Sequence, residues 1–255
     1  MIDCRPSAPP DGVIYFAPTV AHWLRPMESP RTYNDSMLGE PFDPSAEFSI
    51  QERCKPHWSQ AGAIVFITFR LADSIPAVVI DRWDRERVDW LHRAGHPEAT
   101  TLNWKSIAHS LEQKLKDTFQ RQFRQTHERF LDDCHGACVL KRPEIACIVA
   151  DALHHFDGIR YRLGDFVVMP NHVHLLASFA DPDSMSKQCF SWLHFTAKKI
   201  NAALERRGKL WQSDAFDHLV RSGEQYEYLR RYIEENPEKA NLCEGQFLHW
   251  VSPNG

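Results

Sequence analysis

Nothing in the 255 residues approaches the run of about eighteen uncharged apolar side chains that a membrane-spanning helix needs. The opening residues, MIDCRPSAPPDG, lack the basic start and apolar stretch of a secretory leader. The seven cysteines (Cys4, Cys54, Cys134, Cys138, Cys147, Cys189 and Cys243) are odd in number and irregularly spaced, so they read as reduced thiols rather than a disulfide framework. A cytoplasmic, unanchored protein is the expectation. The chain also lacks internal repeats and any excess of base. Its net charge of −4 argues against a broad phosphate-binding face. That charge is uneven, however. Residues 1–52 hold eight acids against three arginines, while residues 187–231 hold nine bases against five acids.

What is present is ordinary for a globular protein: 43% hydrophobic and 25% charged residues, in a length that suits one domain with additions. Residues 1–55 carry eight of the sixteen prolines and show neither strand nor helix period, so they read as an extended acidic arm, docked through Trp23 and Phe42. The run AIVFITFRL (63–71) alternates Ile64, Phe66 and Thr68 with Val65, Ile67 and Phe69, a strand buried on both faces. Helical spacing of Val79, Trp83, Arg87 and Trp90 follows Pro76 and stops at Gly95. A second helix is expected over 104–130, with Ile107, Leu111, Leu115, Phe119 and Phe123 on one face, and a third from Pro143 to His155.

RYRLGDFVVMP (160–170) and HVHLLASF (172–179) read as strands joined by a bend at Pro170-Asn171, where proline cannot donate to a ladder. A helix over 184–207 ending at Gly208, a strand over 217–222, and a helix over 224–236 closed by Pro237 complete the chain. Strands separated by helices that pack on one face imply an α+β sandwich with a mainly antiparallel sheet.

His172-Val173-His174 places two imidazoles on the same side of a strand, where they can converge on one divalent ion. An isolated His-x-His suits a solvent-facing pair equally well. Here, though, it begins at a chain bend, where sites are commonly built. On the last helix, Tyr228, Tyr232 and Asn236 are spaced i, i+4, i+8. A tyrosine can act as a nucleophile and an amide oxygen as a hard metal ligand, whereas core packing with Asn236 as a helix stop is the plainer alternative.

The ordered set VVMPNHVHLL, LWQSDAFDHLVRS and YLRRYIEENPEKANL resembles the REP-associated tyrosine transposases, relatives of the single-tyrosine HUH transposases of bacterial insertion sequences. The resemblance spans roughly residues 57–248, which makes the domain 56–248, with a mostly helical stretch at 76–155 and a tail at 249–255. It implies a ferredoxin-like or RRM-like α+β sandwich. Carried across residue by residue, it makes His172 and His174 the HUH pair, Asn236 the third metal ligand and Tyr232 the nucleophile. The implied cofactor is Mg²⁺ or Mn²⁺, although paired imidazoles by themselves favour zinc-like metals. The implied partner is single-stranded or hairpin DNA of the REP type, and the implied assembly is a monomer, with the dimer of the insertion-sequence relatives as the alternative. An acidic arm, a helical insert over 76–130 and a negative net charge depart from the simplest family pattern.

Secondary candidates follow. Arg230 and Arg231 flank the tyrosine and are candidates to grip a DNA strand. Lys198 and Lys199 on the long helix and Gln212 in LWQSDAF are candidate DNA contacts, while Trp211 and Phe216 read as core. Tyr228 reads as packing or DNA-facing, with a second nucleophile as the alternative. Cys134-His135-Gly136-Ala137-Cys138 has no second pair at finger-like spacing, so structural zinc is disfavoured, and His154-His155 reads as a helix-end pair.

Overall fold

The computed structural model describes residues 38–52, 56–132, 134–213 and 215–253. The arm over 1–37 with its expected docking residue Trp23, and the side chain of Phe216, lie outside them. A hairpin of β1 (Ser49–Glu52) and β2 (Pro56–Ser59) precedes the first long strand, β3 (Ile64–Arg70). Helices α1 (Ala77–Arg93), α2 (Trp104–Ser110), α3 (Gln113–Asp132) and α4 (Pro143–His154) lead to strands β4 (Tyr161–Val168) and β5 (His172–Phe179). Helix α5 (Pro182–Ala203), strand β6 (Phe216–Leu219), helix α6 (Gly223–Lys239) and strand β7 (Leu248–Trp250) follow.

The main sheet runs β6-β3-β5-β4-β7, antiparallel at every step. Taken in chain order, β3, β4, β5 and β6 are the first to fourth strands of a β-α-β-β-α-β unit in the spatial order 4-1-3-2, the ferredoxin-like arrangement. The α+β sandwich with an antiparallel sheet expected from the sequence is therefore the fold. Its layers differ in one respect. Helices α4 and α5 cover one face, with Ile145, Val149, Leu153, Cys189, Trp192 and Ile200 against Val65, Ile67, Phe69, Val173 and Leu175. Helix α6 covers the other, with Leu229 and Ile233 against Ile64, Phe66, Val167 and Leu176. All eight β5 residues are buried in consequence. A helix on each face is what the uninterrupted apolar runs of β3 and β5 require.

The expected helix over 104–130 is two helices, because Leu111 takes an extended conformation that keeps its side chain in the cluster with Phe119 and Phe123. Helix α5 begins at Pro182 and not 184, since the Asp181 carboxylate accepts from the backbone N–H groups of Asp183 and Ser184, and it ends at Ala203 ahead of the left-handed Glu205. Pro237 lies inside α6 instead of closing it. So near the C-terminus the missing N–H forfeits one helical bond, and the proline is buried.

Ordered structure also extends past both boundaries expected at 56 and 248. Leu38 is buried, Glu40 bridges Ala63, and Phe42 meets Phe48 and Trp58 edge-on. At the other end, β7 adds to β4 with Trp250 stacked on Phe166. In β4 the register shifts between Leu163 and Phe166, where a Cβ on Gly164 would come within 2.6 Å of Leu38. This bulge lets Leu163 and Phe166 both face α4 while Asp165 turns to α6.

Candidate metal centre

The bend between β4 and β5 is built from MPN. The Met169 N–H donates to the His172 carbonyl, the Leu71 N–H to the Asn171 carbonyl, and the Leu140 N–H to the Pro170 carbonyl. Proline and asparagine thus occupy a turn whose polar groups are taken up by the end of β3 and by the short 3-10 turn Val139–Lys141. The strand that leaves this bend carries His172 and His174 on the α6 side, at 1% and 4% exposure. Their rings lie 4.6 Å apart, centroid to centroid, at 71°.

Each imidazole is held by its Nδ1. The Asn171 amide nitrogen donates to the His135 carbonyl at 3.1 Å, which leaves the amide oxygen 2.7 Å from His172 Nδ1. An acceptor at that position requires Nδ1 to carry the proton, so Nε2 bears the lone pair. The Thr68 hydroxyl, on the facing residue of β3, is 2.8 Å from His174 Nδ1, leaving Nε2 of that ring as well for other work. Both rings are neutral. Burial and the nearby Arg70 charge push His172 down to about 3, and burial, His172 and Arg70 push His174 down.

Helix α6 supplies the remaining parts. Its buried face is Leu229, Ile233, Asn236 and Pro237. Tyr232 sits at the margin, its ring 5.2 Å from that of His174 and 6.0 Å from Phe66, with Lys239 Nζ 5.6 Å above it. Tyr228 is 60% exposed, so the expected stripe is not one face: each four-residue step turns about 40° past the last, and only Tyr232 and Asn236 reach the histidines. His172 Nε2 and Asn236 Oδ1 are both buried without a hydrogen-bond partner. The Asn236 side chain is also the one group that acts to favour a charged His172 ring. A buried lone pair left unmet costs about 1–3 kcal/mol, and here there are two, one on β5 and one on α6. Two imidazole nitrogens and an amide oxygen, all neutral and bearing lone pairs, fit a divalent cation.

The other candidates are distributed differently. Arg230 is taken by the buried Asp165, with Nε 2.8 Å from Oδ2, and its guanidinium lies 5.7 Å over the Tyr226 ring. Arg231 is exposed and donates to the Glu227 carbonyl. Lys198 and Lys199 are exposed on α5, which packs on the opposite face of the sheet from the histidines. Gln212 pairs its backbone N–H with the Arg70 carbonyl and turns its amide to Ser74. Trp211 is buried and donates to Thr196. In the CHGAC segment the Cys138 thiol donates to the Cys134 carbonyl, and among the described residues no group of three His, Cys, Asp or Glu side chains converges. His154 packs edge-on to Trp250 and Phe166.

Three participants escaped the sequence reading: Asn171, Thr68 and Arg70. Period-2 alternation does place Thr68 and Arg70 in one row, but only the pairing of Thr68 with His174 and Arg70 with His172 brings that row to the site. No helix among the described residues is long and apolar enough to cross a membrane.

No family model matches the chain, and no curated protein matches it. Among solved structures the chain is similar to one described as the structure of the REP-associated tyrosine transposase bound to a REP hairpin, at 14% identity and a TM-score of 0.37, over 76% of this chain and 77% of that one.

Proposed function

We propose that the chain is a metal-dependent nicking and strand-transfer enzyme for single-stranded DNA, acting beside REP-type hairpins through a 5′-phosphotyrosine link. The observation that carries this reading is the pair of unmet buried acceptors, His172 Nε2 and Asn236 Oδ1, with the Tyr232 ring against His174. The order of the MPNHVH, LWQSDAF and RRYIEENP segments supplies the substrate class, by resemblance.

In this reading His172, His174 and Asn236 hold Mg²⁺ or Mn²⁺, which when bound polarises the scissile phosphate and offsets its developing charge. Tyr232 provides the nucleophile. A phenol, with an ordinary pKa of about 10, is a poor one at neutral pH, so its proton must leave as attack proceeds. The phenolic oxygen bonds to phosphorus and the bond from phosphorus to the 3′ oxygen breaks. The departing oxygen takes a proton and becomes a free 3′-OH. One phosphodiester replaces another, so strand joining is the reverse reaction and needs no ATP. Phe66, stacked on His174 at 5.2 Å and edge-on to Tyr232, keeps the nucleophile and the ligand ring in register. The protein is proposed to work as a monomer.

The test is a covalent adduct on a denaturing gel, from the protein with Mg²⁺ or Mn²⁺ and labelled hairpin oligonucleotides. The adduct should be absent in Tyr232→Phe and His172→Ala. Hairpin binding without an adduct in any metal identifies a silent binding module instead. Cleavage that survives Tyr232→Phe identifies a hydrolase that uses activated water.

A further inference from the structure

The end of β3 places a cation in the row of the metal ligands. Arg70 stands directly opposite His172 in the antiparallel β3–β5 register, and directly opposed residues point to the same side, with Cβ atoms about 5 Å apart. Its charge is felt by both imidazoles. The backbone around it is held on both sides: the Arg70 carbonyl accepts from Gln212, and the next N–H, that of Leu71, donates to the Asn171 carbonyl. A guanidinium is a planar fork of five donors, a geometry that matches the oxygens of a phosphodiester.

The other basic candidates cannot take this place. Arg230 is committed to Asp165, and Lys198 and Lys199 are across the sheet. The charge balance points the same way. Two imidazoles and an amide contribute no negative charge, and among the described residues no carboxylate acts on either ring. A divalent ion on neutral ligands beside a guanidinium calls for a substrate that brings its own negative charge.

We propose that Arg70 is a catalytic residue that grips the scissile phosphodiester, its guanidinium hydrogen-bonding the non-bridging oxygens beside the metal position. This rests on the function proposed above and adds a residue to it. Arg70 has opposite effects on the two ligands of the site. It repels a metal ion bound alone and attracts the phosphate that follows.

The experiment measures two equilibria on the full chain with Arg70→Gln and Arg70→Lys. The first is Mn²⁺ binding without DNA, by electron paramagnetic resonance. The second is binding of the dinucleotide dTpT, which has a single phosphodiester, to the Mn²⁺-loaded protein. Arg70→Gln is expected to bind Mn²⁺ roughly three- to tenfold more tightly, through relief of charge repulsion. It is expected to bind dTpT at least tenfold more weakly. Arg70→Lys keeps the charge and should hold Mn²⁺ affinity within about twofold of wild type, with an intermediate loss for dTpT.

A merely structural arginine gives the opposite sign for Mn²⁺: removing it loosens His172 and weakens the metal, which overturns the proposal. Undiminished dTpT binding by Arg70→Gln overturns it too, whether or not wild type forms the covalent adduct. If wild type binds dTpT through Arg70 yet forms no adduct, the phosphate grip stands and the strand-transfer reading falls. Failure of Mn²⁺-loaded wild type to bind dTpT defeats both.

Discussion

Replacing Asn236 by leucine should make the metal-free protein more stable. The amide oxygen is buried on α6, at a residue 1% exposed, without a hydrogen-bond partner. An unmet buried acceptor costs about 1–3 kcal/mol, and leucine, with the same branching and no polar atom, removes it. Leucine also exceeds asparagine in helix propensity by about 0.5 kcal/mol. The gain is therefore about 2 kcal/mol, which for a domain of this size raises the melting temperature by about 4–8 °C. A divalent ion reverses the comparison. At a free concentration of 100 times its Kd, a ligand bound only by the folded state adds about 2.7 kcal/mol, and the variant, lacking one ligand, should not gain it. Thermal melts in EDTA and in Mn²⁺, for both proteins, read these terms separately. Asn236→Leu should melt above wild type in EDTA and lose that lead in Mn²⁺. A variant that melts below wild type in EDTA would show that the oxygen is satisfied in the folded protein and would remove the argument for a cation there.

Asn171→Ala and Thr68→Val each remove the hydrogen-bond partner of an imidazole Nδ1, and each should weaken Mn²⁺ binding by about 10–100-fold in a titration while the protein stays folded. Asp165→Ala deprives the buried ends of Arg230 Nε and the Ser252 N–H of their common acceptor. With the arginine side chain 23% exposed, the loss should be about 2–3 kcal/mol by urea unfolding, and Asp165→Ala combined with Arg230→Met should recover part of it. Partial desolvation of the His154 ring, which meets Phe166 and Trp250 edge-on, holds its pKa below the usual value against the pull of Asp157 and Asp151. A depressed histidine takes up its proton more readily in the unfolded chain, so its contribution to stability declines as pH falls below about 6.5. His154→Phe should therefore show a shallower loss of stability from pH 7 to 5 than wild type.

Local pattern was enough for much of the molecule. The β-branched and aromatic alternation of 63–71, the turn chemistry of Pro170-Asn171 and the helical spacing after Pro76 are properties of neighbouring residues, and β3, β5 and α1 lie where they indicate. The pairing of His172 with His174 across one strand step is likewise local, as is the one-turn spacing of Tyr232 and Asn236. Where a local rule competed with burial, burial decided. Leu111 broke a continuous helical pattern to remain in its cluster, and Pro237 is buried inside α6 where a helix stop was expected.

What the tertiary structure alone decided is which of these fragments meet. Strand register is set over a hundred residues of separation, and it is register that puts Thr68 behind His174 and Arg70 beside His172. The side of the sheet a helix covers depends on how the whole chain closes. For that reason Lys198 and Lys199 sit away from the histidines while Tyr232 and Asn236 sit against them. The bulge at Gly164-Asp165 gave Arg230 a buried partner that its position beside the tyrosine did not foretell. Sequence periodicity assigns a residue to a face. The partner across that face comes from contacts distant in the chain, and the unmet lone pairs of His172 and Asn236 exist only once those contacts form.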